Sequence, residues 1–166
     1  MRLSQKAPAL TALAAVAALS LGGPALAQWS ANPNAPVSVS AEEQGAFNTS
    51  TCVSNWRGNV EVTQDRIRLR ARTLTTHHVK RGGSCGDISR MEAENDVYYV
   101  TPNEAVRADK AVYNLTADTV TFTGGVIVQR GQNVATSERL VINLRNNDAA
   151  LSGRVRGVFY PSRSGQ

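Results

Sequence analysis

The sequence predicts an all-β chain, and three observations predict it. Apolar residues recur at every second position along most of the stretch after Pro36, the period of a strand with one face turned from water. No segment after residue 27 carries a helical apolar stripe. The alternating segments also repeat. A shift of 29 residues lays Val97 on Val126, Tyr99 on Val128, Val106 on Ala135, Ala111 on Leu140, and Phe122-Thr123-Gly124 on Leu151-Ser152-Gly153. A shift of 37 lays Val60 on Val97, Val62 on Tyr99, Leu69 on Val106 and Leu74 on Ala111. Repeats of this size point to a stacked or rolled β-architecture, in which each unit buries a face only against its neighbours.

The elements follow in order. Residues 1–27 read as a cleaved signal peptide: Arg2 and Lys6 precede the apolar run Thr11 to Leu21, and Ala25-Leu26-Ala27 fits a small-x-small cleavage site. The run is too short for a spanning helix, and a retained anchor is the alternative. Residues 28–35 form a flexible lead-in rich in Pro and Asn, and residues 36–162 form one domain followed by a polar tail, 163–166. Val37, Val39 and Ala41 make a short first strand, and Glu42 to Ser50 reads as a polar turn. Gly58-Asn59 makes a bend before Val60 and Val62. Ile67 to Arg72 alternates apolar residues with Arg68, Arg70 and Arg72, which together with Arg66 make an outer wet face. Lys80 to Asp87 is a Gly-rich loop that lengthens this repeat.

Met91 to Val100 opens the second unit, and Thr101-Pro102-Asn103-Glu104 makes a turn. Val106 and Ala108 share a face, and the phase slips by one at Asp109-Lys110 before Ala111, Tyr113 and Leu115. The third unit slips at the same place, Glu138-Arg139. A recurring slip of parity predicts a bulge or corner where each strand bends. In the best-preserved copy, Val120 and Phe122 precede the Gly124-Gly125 bend and Val126 and Val128 follow it. Arg154 to Tyr160 supplies a last strand.

Composition narrows the function. The formal net charge of +5 falls to +3 without the two leader cations and is spread along the chain, which gives little support to nucleic-acid binding. Cys52 and Cys85 are the two cysteines of an exported chain, so a disulfide is the expected outcome, worth about 3–4 kcal/mol in the chain-entropy picture. A metal site joining them to His77 and His78 is disfavoured, because adjacent histidines on a strand point to opposite faces. No Gly-x-Ser-x-Gly, phosphate-binding Gly loop or HExxH occurs. A glycosidase would need two facing acids, for which Asp87 with Glu92 or Glu94 are the only proposal. No enzymatic activity, cofactor or metal is expected. Asn48-Thr49-Ser50 and Asn114-Leu115-Thr116 match a glycosylation sequon, a weak pattern.

Phe122-Thr123-Gly124-Gly125-Val126-Ile127-Val128-Gln129, followed by a polar turn and Ser137 to Leu144, resembles the repeats of the periplasmic lipopolysaccharide-transport bridge family, the LptA/OstA-type domain. Trp56 to Gln64 is the closest copy of that family's T-G-N-V-x-V-x-Q bend, and Ala108-Asp109-Lys110-Ala111 of its acid–base corner. Val158 to Ser162 resembles the domain's end. The likeness covers about residues 36 to 162; the cysteine pair and the insertion near Gly82-Gly83 depart from it. It implies an open, twisted β-jellyroll, rolled like a taco around an apolar trough. It also implies a periplasmic carrier that passes lipopolysaccharide acyl chains from inner to outer membrane by head-to-tail assembly. The implied partners are lipopolysaccharide, further copies of the chain, and proteins of the inner-membrane export and outer-membrane insertion complexes with related jellyroll domains.

On this reading Val37, Val39, Val60, Val62, Leu69, Ala71, Val97, Tyr99, Val106, Ala108, Val126, Val128 and Ala135 face the trough. Each of them alone is also what an ordinary core would contain. As a set they are mostly Val and Ala, too small to fill a wide roll to native density, which leaves room for acyl chains. Arg154, Arg156 and Arg163 are phosphate-contact candidates at the mouth, against the plainer reading of a solvated strand face. Val37 to Ala41 and Arg154 to Tyr160 are candidate edges for pairing with other chains. An adaptor domain that pairs edge to edge without carrying lipid is the alternative function. A stand-alone relative of the N-terminal domain of the outer-membrane insertion protein is a third.

Overall fold

The computed structural model describes residues 35–146 and 148–161. The segment expected to be a signal peptide, nearly all of the expected lead-in, Arg163 and the rest of the expected tail lie outside the described residues. Ten strands follow one another: β1 (Val37–Ser40), β2 (Gln44–Asn48), β3 (Val53–Gln64), β4 (Ile67–Arg81), β5 (Ser84–Val100), β6 (Ala105–Asn114), β7 (Thr119–Arg130), β8 (Asn133–Asn143), β9 (Ala149–Ser152) and β10 (Arg156–Val158). They form a single antiparallel meander in the order β1-β3-β4-β5-β6-β7-β8-β10, with β2 beside β1 on β3 and β9 beside β10 on β8. Among the described residues no ladder joins the first edge to the last, so the roll stays open.

One row of irregularities crosses the sheet and folds it in two. The ladders shift register between Arg57 and Val60, Arg70 and Thr73, Glu94 and Val97, Arg107 and Lys110, and Thr123 and Val126. Strands β3, β5 and β7 cross this crease through paired residues of positive φ; those of β7 are Gly124 (80°) and Gly125 (53°), those of β5 Asn95 (64°) and Asp96 (53°). Asn and Asp are the residues besides Gly that adopt this conformation with least strain. The intervening strands β4, β6 and β8 cross by a slip of parity, from Ala71 to Leu74, Ala108 to Ala111, and Ser137 to Leu140, the last two as expected from sequence. The acids of the β6 and β8 slips lie against the neighbouring kinks: a side chain at Gly124 would meet Asp109, and one at Gly153 would meet Glu138.

The crease divides the sheet into two walls that share one core. The first wall holds β1, β10 and the segments 60–71, 97–108 and 126–137; the second holds β2, β9 and the segments 53–57, 73–94, 110–123 and 139–143. Tyr99 of the first wall meets Phe122 of the second at 5.5 Å between ring centroids, although β6 separates their strands within the sheet.

Three segments differ from the sequence expectation, one of them Arg154 to Tyr160, in which only Arg156–Val158 is strand, after a separate strand at Ala149–Ser152. Glu42 to Ser50 contains a strand, β2, rather than a turn. Every residue of it is exposed, so it has no alternation to read; its pairing with Val53 to Arg57 on β3 makes it a strand. Lys80 to Asp87 is not a loop but the end of a long hairpin, closed by Gly82-Gly83, both at positive φ as a two-residue turn requires. This hairpin runs beyond the ladder to β6 and is tied back by the Cys52–Cys85 disulfide, with Cα atoms 5.3 Å apart. His78 N–H donates to Cys52 C=O at 2.9 Å, and Lys80 Nζ donates to Ser50 C=O at 2.9 Å, on the same tie.

Candidate functional site: the trough between the walls

Side chains at alternate positions of the first wall line up in rows parallel to the crease. The row nearest it is Val60, Ala71, Val97, Ala108, Val126 and Ser137, all buried, Val60, Val97 and Val126 completely. The next is Val62, Leu69, Tyr99, Val106, Val128 and Ala135, in which Leu69 and Val128 are half-buried. Val39 is half-buried and Val37 is 41% exposed, at the open end of β1. Burial thus falls from crease to mouth, as between the leaves of a V. All thirteen trough candidates fall on this wall, twelve of them buried or half-buried.

The second wall supplies what those candidates left out. Leu74, Ala93, Ala111, Phe122 and Leu140 form its row at the crease, with Val120 and Ile142 behind them. Phe122, Leu74, Leu140 and Ile142 are the largest fully buried side chains. The inference of an interior too poor in large side chains rested on the first wall alone; the facing wall carries the bulk. The alternation of Val120 with Phe122 and of Leu140 with Ile142 was the signal for it.

Polar groups mark the rim. A third row on the first wall contains Gln64, Thr101, Glu104, Arg130 and Asn133, beside half-buried Ile67. Arg130 donates to Glu104 Oε2 from Nη2 at 2.7 Å and from Nε at 3.3 Å. Burial pushes the Glu104 carboxyl above its usual range, and Arg130 opposes the rise. Burial, with Glu104 nearby, also pushes the Tyr99 phenol up. Two buried polar atoms, Trp56 Nε1 and Glu104 Oε1, have no partner among the described residues.

The remaining candidates lie elsewhere. Arg154 stands at the crease, Nε 2.7 Å from Glu138 Oε1, and Arg156 pairs with Thr136 on the outward face; neither is brought to the mouth. His77 faces outward beside Glu92 at 3.4 Å while His78 faces inward, and no group of metal-binding side chains occurs among the described residues. Glu92 and Glu94 share Lys110 on the outer surface, and Arg90 and Lys110 hold the Glu92 carboxyl down to about 2. Asp87 is exposed on the long hairpin. Arg66, Arg68, Arg70 and Arg72 are exposed on the outer face, as expected. With Tyr98 and Val100 the first three line a depression of about 470 Å³ outside the trough.

Residues 38–148 match the family described as LptA/(LptD N-terminal domain) LPS transport protein. The chain belongs to this family. Its fold is similar to the crystal structure of LptH, the LptA-homologous periplasmic component of the lipopolysaccharide transport device of Pseudomonas aeruginosa. The TM-score is 0.69 at 19% identity, over 80% of this chain and 100% of that one. An uncharacterized protein of Rhizobium meliloti is 30% identical over 112 residues, 63% of this chain and 60% of that protein. The open jellyroll is therefore the fold of this LPS-transport family member, and the Cys52–Cys85 bond lies on its second wall.

Proposed function

We propose that this chain is a periplasmic carrier that holds lipopolysaccharide acyl chains between its two walls and hands them on toward the outer membrane. The observation that carries the proposal is the graded, continuous apolar lining of a roll whose edges do not meet. Parting of the walls at the mouth would expose Leu69, Val128 and Tyr99 to an entering chain, and each methylene buried there contributes about 0.8 kcal/mol. Membership of an LPS transport family supports the same cargo.

Handing on requires neighbours. The first edge exposes Val37 and Phe47, and the last exposes Val155, Val158, Phe159 and Tyr160. Among the described residues, their strands β1, β2, β9 and β10 each pair on one side alone. Two different edges that pair head to tail give an open row rather than a closed dimer. The partners would be further copies and the related jellyroll domains of the inner- and outer-membrane complexes. The edge-pairing adaptor without cargo remains the second reading, favoured by the complete burial of the row at the crease.

Lipid extraction of protein purified from its own envelope, followed by mass spectrometry, tests the choice. The carrier predicts acylated glycolipid in the extract. Extracts no richer in it than those of an unrelated exported β-domain support the adaptor.

A further inference from the structure

Among the described residues, Glu104 occupies the one place where the apolar lining of the first wall meets buried charge. Its side chain shares the inward parity of Val106 and Ala108 and is 2% exposed. The turn before β6 fixes it: Thr101 N–H donates to Glu104 C=O at 2.9 Å, and Glu104 N–H donates to Thr101 Oγ1 at 3.2 Å. Arg130 takes Oε2 through two nitrogens and so sets the rotation of the carboxylate. Oε1 is left buried, with no donor among the described residues. An acceptor in that condition loses its hydration with nothing in return, and such atoms in a native fold call for an explanation. A pair that only tied the β5–β6 turn to β7 would serve equally well with Oε1 in water.

We propose that Glu104 Oε1 receives a hydrogen-bond donor from the amphiphile in the trough, an N–H or O–H close to its polar head. An N-acyl amide and a hydroxylated acyl chain both meet this description. This rests on the carrier reading above. Chains that enter at the mouth pass the Glu104 row before they reach Val106 and Ala108, so the first groups below the head lie level with Oε1. Arg130, whose side chain is 52% exposed, stands nearer water than Glu104 and suits an anionic head above the donor. A chain lacking the donor fills the same apolar rows but leaves the carboxylate oxygen unsatisfied. The site therefore selects among amphiphiles of equal length rather than adding to affinity for all of them.

N-dodecanoylglycine and N-dodecanoylsarcosine form a suitable pair of probes. They share chain, charge and head, and differ in an N–H replaced by N–CH₃. Titration calorimetry below their micelle concentrations is expected to show the wild-type chain binding the glycine derivative about ten-fold tighter, the worth of one hydrogen bond to a charged acceptor. Glu104→Leu, checked for its fold by circular dichroism, is expected to bind both alike. Ala108→Trp, which fills the trough below the site, is expected to weaken both together. Equal binding of the two probes by the wild type overturns the site and leaves the carrier standing. So does a preference that survives Glu104→Leu. Binding of neither probe, or binding indifferent to Ala108→Trp, overturns site and carrier alike.

Discussion

The two walls are made by the same strands on either side of one crease, yet they are furnished differently. The first presents Val and Ala near the crease and a polar rim with Glu104 and Arg130 at the mouth. The second presents Phe122, Leu74, Leu140 and Ile142, and its far end is clamped by a disulfide. Rows of small side chains bury little area each, whereas large interlocking ones give cohesion. The difference teaches that cohesion is concentrated on one leaf of the sheet, and the proposed carrier would leave cargo to the other.

The largest effect is expected where cohesion is greatest. Phe122→Ala should cost about 3–5 kcal/mol in denaturant unfolding, against about 2 kcal/mol for Val126→Ala directly across the bend. Equal losses would erase the distinction between the walls. Next comes the clamp: Cys52→Ser with Cys85→Ser should lower stability by about 3 kcal/mol. Backbone amide exchange should then rise in β2 and the β4–β5 hairpin before the first wall. Uniform loosening would place the clamp's influence on both walls.

The crease itself is a sharper point of comparison. Gly124→Ala meets Asp109 and a φ of 80°, so about 2 kcal/mol of destabilisation is expected; Gly83→Ala, in open space at 89°, should cost about half as much. The smallest effect concerns pH. The Glu92 carboxyl is lowered to about 2 in the folded chain, first by its hydrogen bond with Arg90 and then by Lys110. Its contribution is therefore present above about 4.5 and lost as pH falls toward 2. For a group this near water that amounts to about 1 kcal/mol. Glu92→Gln should flatten the stability curve in that window alone.

Much of this architecture was legible in the sequence because the physics behind it is local. Parity slips at Asp109-Lys110 and Glu138-Arg139 marked the crease, and the repeats aligned Gly58-Asn59 with Gly124-Gly125. Asn95-Asp96 occupies the same place without a glycine, and only its φ values reveal the third kink. β2 was not legible, since a fully exposed strand is defined by its partner rather than by its own pattern. The two walls read as separate runs of alternation, because the slip hides which runs share a core. Glu104 passed for a turn residue beside Pro102, although its parity with Val106 and Ala108 places it inside. Arg154 and Arg156 matched a phosphate-binding composition, but their positions at the crease and on the outer face follow from register.

The central claim is that acyl chains lie between the walls. Photo-crosslinking amino acids at Leu69 and Val128, inward and half-buried, can be set against the same groups at their outward neighbours Arg68 and Ile127. The account predicts lipopolysaccharide adducts from the two inward positions and none from the outward pair. Equal labelling of both faces, or none at any position while lipopolysaccharide export proceeds, would contradict it.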